Sequence, residues 1–470
     1  MSARFGYAGD DEDPATTKDF ASYRTIIHYS LPLILSYSGG IIMQFTDRMF
    51  LAWHAPESVA GAGTAGLISI CFLSFFYVTT GFTSVFTSQY LGSQRLEKIG
   101  PVVWQGIYLS LAFGLLSYIL AFRSQALFEW IGHEPAILRA EVEYFSAVMQ
   151  GGVFFMLSMA SLGFFIGRGD NRKVMLIQLG AIAINIALDY AMIFGKWGFP
   201  AWGVAGAAWA TVLSQVFAVV ASVMLFLRPS YRTLYHTWTA KVEPALALRV
   251  LRFGMPSGFK AVVELLLWSV FLGLIGLLGT VELAASNVAF TINNVAWQPM
   301  MGVSMAVSML VGKAQGAGRP DLSRQAMVRG FWLTQAWELA GALMFILFPY
   351  FFLNLFFGDL PPEQAAPLLS TGRHLLWFVA AYCLIDSVNV VFAQGLIGAG
   401  DSWWTSKMTF ILTAAAILAL FILYHFNMGL YSYWAVATLY IAVSGVAWLW
   451  RFFGKEWESM RVIETVVVED

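Results

Sequence analysis

Long apolar runs broken by short polar stretches make up nearly the whole chain. Twelve runs reach the roughly 20 mostly apolar residues that a helix needs to cross a bilayer: 26–51, 59–90, 101–122, 142–166, 174–195, 203–227, 249–278, 282–311, 327–353, 371–397, 405–425 and 430–451. Several exceed that minimum, which allows tilt or extension past the hydrocarbon core. Pro32, Pro256, Pro299, Gly81 and Gly273 fall inside runs. A membrane helix tolerates them because packed neighbours re-satisfy the backbone groups they free. The pattern predicts an all-α membrane protein with twelve transmembrane helices.

Composition supports this reading. Of 470 residues, 59% are hydrophobic and 12% charged, against about 25% charged in a soluble domain. A net charge of −1 gives no ground for nucleic-acid binding. Cys71 and Cys383 lie within apolar runs and read as small buried side chains. The opening stretch, 1–25, is polar and acidic, with Asp10, Asp11, Glu12 and Asp13 in a row. It reads as a solvated arm without a cleavable signal. With the N-terminus placed inside, inside segments hold 21 Lys and Arg and outside segments hold 5, Lys260 lying within a span. That bias predicts both termini on the cytoplasmic side.

The chain repeats. At an offset of 224, Pro32 meets Pro256, Gly92 meets Gly316, Arg95 meets Arg319 and Gly106 meets Gly330. At 231, Gly167-Arg-Gly-Asp170 meets Gly398-Ala-Gly-Asp401, so a short insertion falls around 354–370. An even number of spans separates the matched elements. The repeat is therefore parallel, with a pseudo-two-fold axis along the membrane normal. The division is a tail (1–25), an N-lobe (26–227), a basic inter-lobe loop (228–248), a C-lobe (249–452) and a second tail (453–470). Two pseudo-symmetric six-helix lobes facing each other suit alternating access. The cleft wall would draw on 39 Phe, 18 Trp, 18 Tyr and 19 Met, most of which the lipid contact and interface belts claim.

Polar residues inside spans are costly, by about 3 kcal/mol for a central Asp on insertion scales, and so mark function by default. Asp47 is one such residue, though adjacent Arg48 or the outer surface could also account for it. Asn185 and Asp189 share a helix face at i, i+4, either as a site or as interhelical glue. Gln44 lies one turn before Asp47. In the second half, Glu264 lies eight residues after Pro256, and Tyr382 and Asp386 share a helix face at i, i+4. Lys260, at i−4 from Glu264, is placed to neutralise it. Asn293, Asn294 and Asn389 line the same cleft or bond across helices. The six His residues lack metal-ligand spacing. No P-loop pattern occurs, so ATP hydrolysis in this chain would not drive transport.

From about 26 to 452 the sequence resembles the multidrug and toxic compound extrusion (MATE) family of the MOP superfamily, in its bacterial NorM-like branch. The residues that carry the likeness are Pro32 with Phe45-Thr-Asp47, Gly163 to Asp170, Asn185 to Phe194, Gly203-Val-Ala-Gly-Ala-Ala-Trp-Ala-Thr211, and Gly395 to Asp401. One departure is Ala52-Trp-His-Ala55, where the family often has Gly-x-x-Gly. The resemblance implies a cation-coupled antiporter exporting bulky, often cationic compounds or drugs. It implies an N-lobe cation site of Asp47, Asn185, Asp189 and Thr211, and a C-lobe site of Glu264, Tyr382 and Asp386. The expected coupling ion is H+ or Na+, with no other metal and no cofactor. The expected setting is the bacterial inner membrane, as a multi-pass monomer. A lipid-linked saccharide flippase of the same superfamily is the alternative, and a membrane-embedded enzyme a weaker one.

Overall fold

A computed structural model describes residues 20–358 and 360–464; the acidic run Asp10 to Asp13 lies outside them. Among the described residues the twelve expected spans all form. They are α1 (Tyr23–His54), α2 (Pro56–Gly81, continued by Thr83–Gly92), α3 (Ile99–Ala121), α4 (Pro135–Gln150 and Gly152–Arg168), α5 (Asn171–Phe194) and α6 (Gly203–Phe226). The second half holds α7 (Pro244–Gly276), α8 (Thr280–Gly316), α9 (Pro320–Leu347), α10 (Pro362–Ala399), α11 (Ser402–His425) and α12 (Leu430–Gly454). The two pieces of α4 meet at 41°. Helix α1 runs through Pro32 without a break. Side chains serve carbonyls near the prolines: Asn171 Nδ2 donates to Tyr29 O at 2.7 Å, and Ser406 Oγ to Pro256 O at 2.5 Å.

The packing repeats as the sequence does. Within the first half α1 lies on α5, α2 on α4, α3 on α4, and α5 on α6; within the second α7 lies on α11, α8 on α10, α9 on α10, and α11 on α12. The two halves meet through α1 on α8 and, in the mirrored place, α7 on α2. The result is two six-helix lobes related by a pseudo-two-fold axis.

The repeated Gly-x-Gly-Asp has a physical reason. Gly169 and Gly400 end α4 and α10 at φ +89° and +104°, the left-handed region where a β-carbon is strained. Two positions earlier, a β-carbon on Gly167 would collide with Ser84 O, and one on Gly398 with Ser308 O. Ser84 and Ser308 are themselves matched by the first offset of the repeat. The acids anchor each turn: Asp170 pairs with Arg168 at 2.9 Å and Lys173 at 3.1 Å, and Asp401 with Arg451 at 2.6 Å.

Close glycine approaches between the lobes run from the middle of the bundle to the ends that carry these loops, here called the basic face. Gly258 lies against Phe75, Gly302 against Ile34, Gly312 against Ser88 and Gly316 against Gln89. Among the described residues, no such glycine approach joins the lobes nearer the opposite ends. The segment after α12 adds to the seal. Trp457, Val462 and Ile463 are buried, Gln315 Nε2 donates to Trp457 O at 2.8 Å, and Val462 N donates to Gln89 Oε1 at 2.8 Å.

Candidate functional site

Three helices bring the first polar group together. Asp47 comes from α1, Asn185 and Asp189 from one face of α5, and Thr211 from α6. Asn185 and Asp189 are fully buried. One terminal atom of the Asn185 amide lies 3.4 Å from Thr211 Oγ1. The other lies 3.1 Å from Asp47 Oδ1 and 3.2 Å from Asp189 Oδ2. Since two carboxyl oxygens face that second atom, it is the nitrogen, donating to both acids. The Asp47 and Asp189 carboxyls also stand within hydrogen-bonding reach of each other. Carboxyls that close need a shared proton or a cation between them. Asp189 Oδ1 has no partner, which leaves an acceptor free for either.

Tyr144, from the first piece of α4, stands beside both acids. Sequence reading had no signal for it, because one Tyr among the chain's 18 is unremarkable. Gln44 is exposed, and none of the cluster's hydrogen bonds involves it.

In the second lobe the expected trio is divided. Lys260 Nζ donates to Glu264 Oε1 at 2.6 Å, so Glu264 already has its counter-charge. Tyr382 is buried with its hydroxyl unpartnered, and it stands near Asp386. Asn389 also reaches Asp386, but it bonds to α12, donating to Ile441 O at 3.1 Å and accepting from Trp448 Nε1 at 2.6 Å. Asn293 Oδ1 accepts from the Cys383 thiol at 3.5 Å, and Asn294 is exposed. The acid that sequence reading missed is Glu338 in α9, buried beside Cys383 and Asp386.

The MatE family model matches residues 32–191 and 256–424, well over half the chain, and its two matches begin one repeat apart. Curated relatives include a probable multidrug resistance protein NorM of Pseudomonas putida, 27% identical over 94% of this chain and 95% of that one. A Thermotoga maritima protein of the same name is 23% identical over 97% and 96%. Among solved structures, an outward-facing multidrug resistance MATE family transporter of the MOP superfamily superposes at TM-score 0.82 with 20% identity, covering 92% of this chain and 95% of that one. A MOP superfamily transporter from Pyrococcus furiosus, described as having a binding pocket of reversed polarity, also gives 0.82 at 20% identity, with the same coverage. With the matched model in both lobes, the twelve-helix architecture and relatives of full length, this chain belongs to the MatE family.

Proposed function

We propose that the protein is an antiporter that exports bulky organic cations or drugs, driven by inward movement of a proton through the N-lobe cluster. The observation that carries this is the Asn185 amide set between the Asp47 and Asp189 carboxyls, buried in the lobe with Asp189 Oδ1 left open. A protonated pair is neutral. Deprotonation leaves uncompensated charge, which favours a rearrangement of α1 against α5. One inward elementary charge contributes about 2.3 kcal/mol at 100 mV, before any concentration gradient. Reciprocal linkage then requires that substrate and proton each weaken the other's binding.

The chain divides on this reading into an N-lobe (26–227), an inter-lobe loop (228–248) and a C-lobe (249–452), with tails at 1–25 and 453–470. The basic face is the cytoplasmic side of a bacterial inner membrane, and a single chain is the working unit. The seal along that face supports an outward-facing state. Names of the relatives support drugs as substrates.

The test uses purified protein in liposomes with a fluorescent organic cation, under a proton gradient or a sodium gradient imposed separately. Proton-driven movement is expected in wild type and lost in Asp47→Asn and Asp189→Asn, with probe binding retained. Drive by sodium alone, or no movement under either gradient, would overturn the reading.

A further inference from the structure

Residues 455–464 divide into two parts that belong to different lobes. The first part is held by the C-lobe. The Trp457 ring stacks on Phe452 at 5.8 Å between centroids, and its indole nitrogen donates to Phe452 O at 2.9 Å. Gln315 of α8 donates to Trp457 O at 2.8 Å, and Arg324 of α9 pairs with Glu458 at 2.8 Å. The second part reaches across the seam. Val462 and Ile463 are buried in the same apolar cluster as Phe86, Tyr90 and Ile99 of the N-lobe. Val462 N donates to Gln89 Oε1 at 2.8 Å. The Tyr90 hydroxyl donates to the Glu464 carboxylate at 3.0 Å. Arg95 holds Glu464 twice, by the carboxylate at 3.2 Å and by the backbone carbonyl at 3.1 Å. Arg249 of α7 completes the cradle, 2.7 Å from the same carboxylate.

The segment after α6 takes the matching place in the repeat, and it too lies on its own lobe. Trp104 Nε1 donates to Thr237 O at 2.8 Å and Gln105 Nε2 to Lys241 O at 2.9 Å, while Glu243 N donates to Gln105 Oε1 at 3.0 Å. There the chain itself runs on into α7 of the other lobe, a link that no motion breaks. After α12 the crossing consists of two apolar side chains, hydrogen bonds and ion pairs, all of them reversible. Separating the lobes at the basic face carries 455–461 away with the C-lobe. Residues 462–464 must then leave Gln89, Tyr90 and Arg95. Contacts made in only one of two states favour that state by their full strength.

We propose that Tyr90, Arg95 and Arg249 form a carboxylate-binding site whose ligand is this chain's own Glu464, and that 462–464 is a releasable latch holding the basic face shut. Two guanidinium groups and a phenol on one carboxylate make charge-assisted bonds of the stronger kind. The latch restrains the protein from within, because the state that opens at the basic face is reached only when its tip lets go. Its effect on export rests on the transport reading above, while its hold on the lobes does not.

The test measures distances between spin labels at Arg172→Cys on α5 and Lys407→Cys on α11, both exposed positions. It uses the full-length protein in lipid nanodiscs, with Cys71→Ser and Cys383→Ser as background. Combining Val462→Gly, Ile463→Gly and Glu464→Gln is expected to raise the population of longer distances by about 5-fold or more. Arg95→Met alone is expected to act in the same direction and to add nothing to that combination, since its partner is already gone. An unchanged distribution in the combined variant overturns the latch. So does an Arg95→Met effect of equal size with and without the tip, which a merely structural role of Arg95 would produce. If the combined variant fails to fold, Glu464→Gln alone replaces it and is judged by the same two outcomes. If liposomes show no export in wild type while the distances respond as expected, the transport reading fails and the latch stands.

Discussion

Lys313 Nζ donates to the backbone carbonyl of Arg168 at 2.9 Å, reaching from α8 in one lobe to the end of α4 in the other. The repeat uses the same tie in the opposite direction. Gln89, the counterpart of Lys313 at the first repeat offset, donates from α2 to Ala399 O at 3.2 Å and Gly398 O at 3.0 Å. Ala399 is in turn the counterpart of Arg168 at the second offset. Both donors are buried, so each lost bond strands a carbonyl or a charge, a cost of about 1–3 kcal/mol. Lys313→Met or Gln89→Leu should therefore shift the balance toward a state open at the basic face by roughly 5–150-fold. Spin labels placed across the seam, read as a distance distribution, check this. A distribution identical to wild type would show that the ties do not set the balance.

Glu464 reinforces the same seam. It pairs with Arg249 at 2.7 Å and Arg95 at 3.2 Å, and it accepts from the Tyr90 hydroxyl at 3.0 Å. Burial raises its carboxyl pKa, but a backbone hydrogen bond, Tyr90, Arg249 and Arg95 outweigh that and hold it below the usual glutamate value. A lowered folded-state value gives stability that is present above the unfolded value, near 4.3 for Glu, and lost as pH falls through the folded one. Protection of 455–464 against hydrogen exchange, taken relative to the intrinsic amide rate at each pH, should be high at neutral pH and fall as pH drops below that range. Glu464→Gln should show the faster exchange at neutral pH and lose the pH step. A step retained in Glu464→Gln would assign it to another acid.

The twelve spans and the parallel repeat were legible because each rests on local chemistry, uninterrupted apolar length and paired glycines in loops; Asp47 stood out as a costly polar residue in an apolar run, but its grouping with Asn185, Asp189 and Thr211 came from the family resemblance. Asn185 and Asp189 were readable as one face from spacing alone. Glu338 was not, although it is as costly in its span as Asp47. Its helix is the least apolar of the long spans, and it carries Arg329 and Gln335 nearby, so one more polar residue raised no contrast. Its significance lies in what it lacks, donors and counter-charge, and that is a property of packing. The strap from 455 to 464 was equally hidden, since a polar tail gives no sign of where it docks.

Asn185 offers a direct measure of how much the N-lobe acids depend on a neutral donor. Asn185→Leu removes the bonds to Asp47 and Asp189 while keeping the volume similar. Burying those acids without their donor should cost about 1–3 kcal/mol, read as a lower melting temperature. Adding Asp189→Asn should recover part of the loss, because one of the two stranded acids is then gone. Losses that simply add would mean that Asn185 acts elsewhere.

Lys260 decides whether the C-lobe trio of Glu264, Tyr382 and Asp386 works as a sodium site. With its ammonium 2.6 Å from Glu264 Oε1, a second cation there meets like charge and an occupied oxygen. Lys260→Met retains much of the apolar stem and removes the charge. Glu264 is then free to join Asp386 and the Tyr382 phenol as hard oxygen ligands. A ligand that binds only the folded protein stabilises it by about 2.7 kcal/mol at 100 times its dissociation constant. The variant should therefore melt higher in sodium chloride than in choline chloride at equal ionic strength, while wild type shows no such difference. Adding Glu264→Gln to Lys260→Met should abolish the sodium effect. A sodium shift already present in wild type would mean that the ion pair does not block the site, and a variant indifferent to sodium would mean that the trio is no cation site even when released.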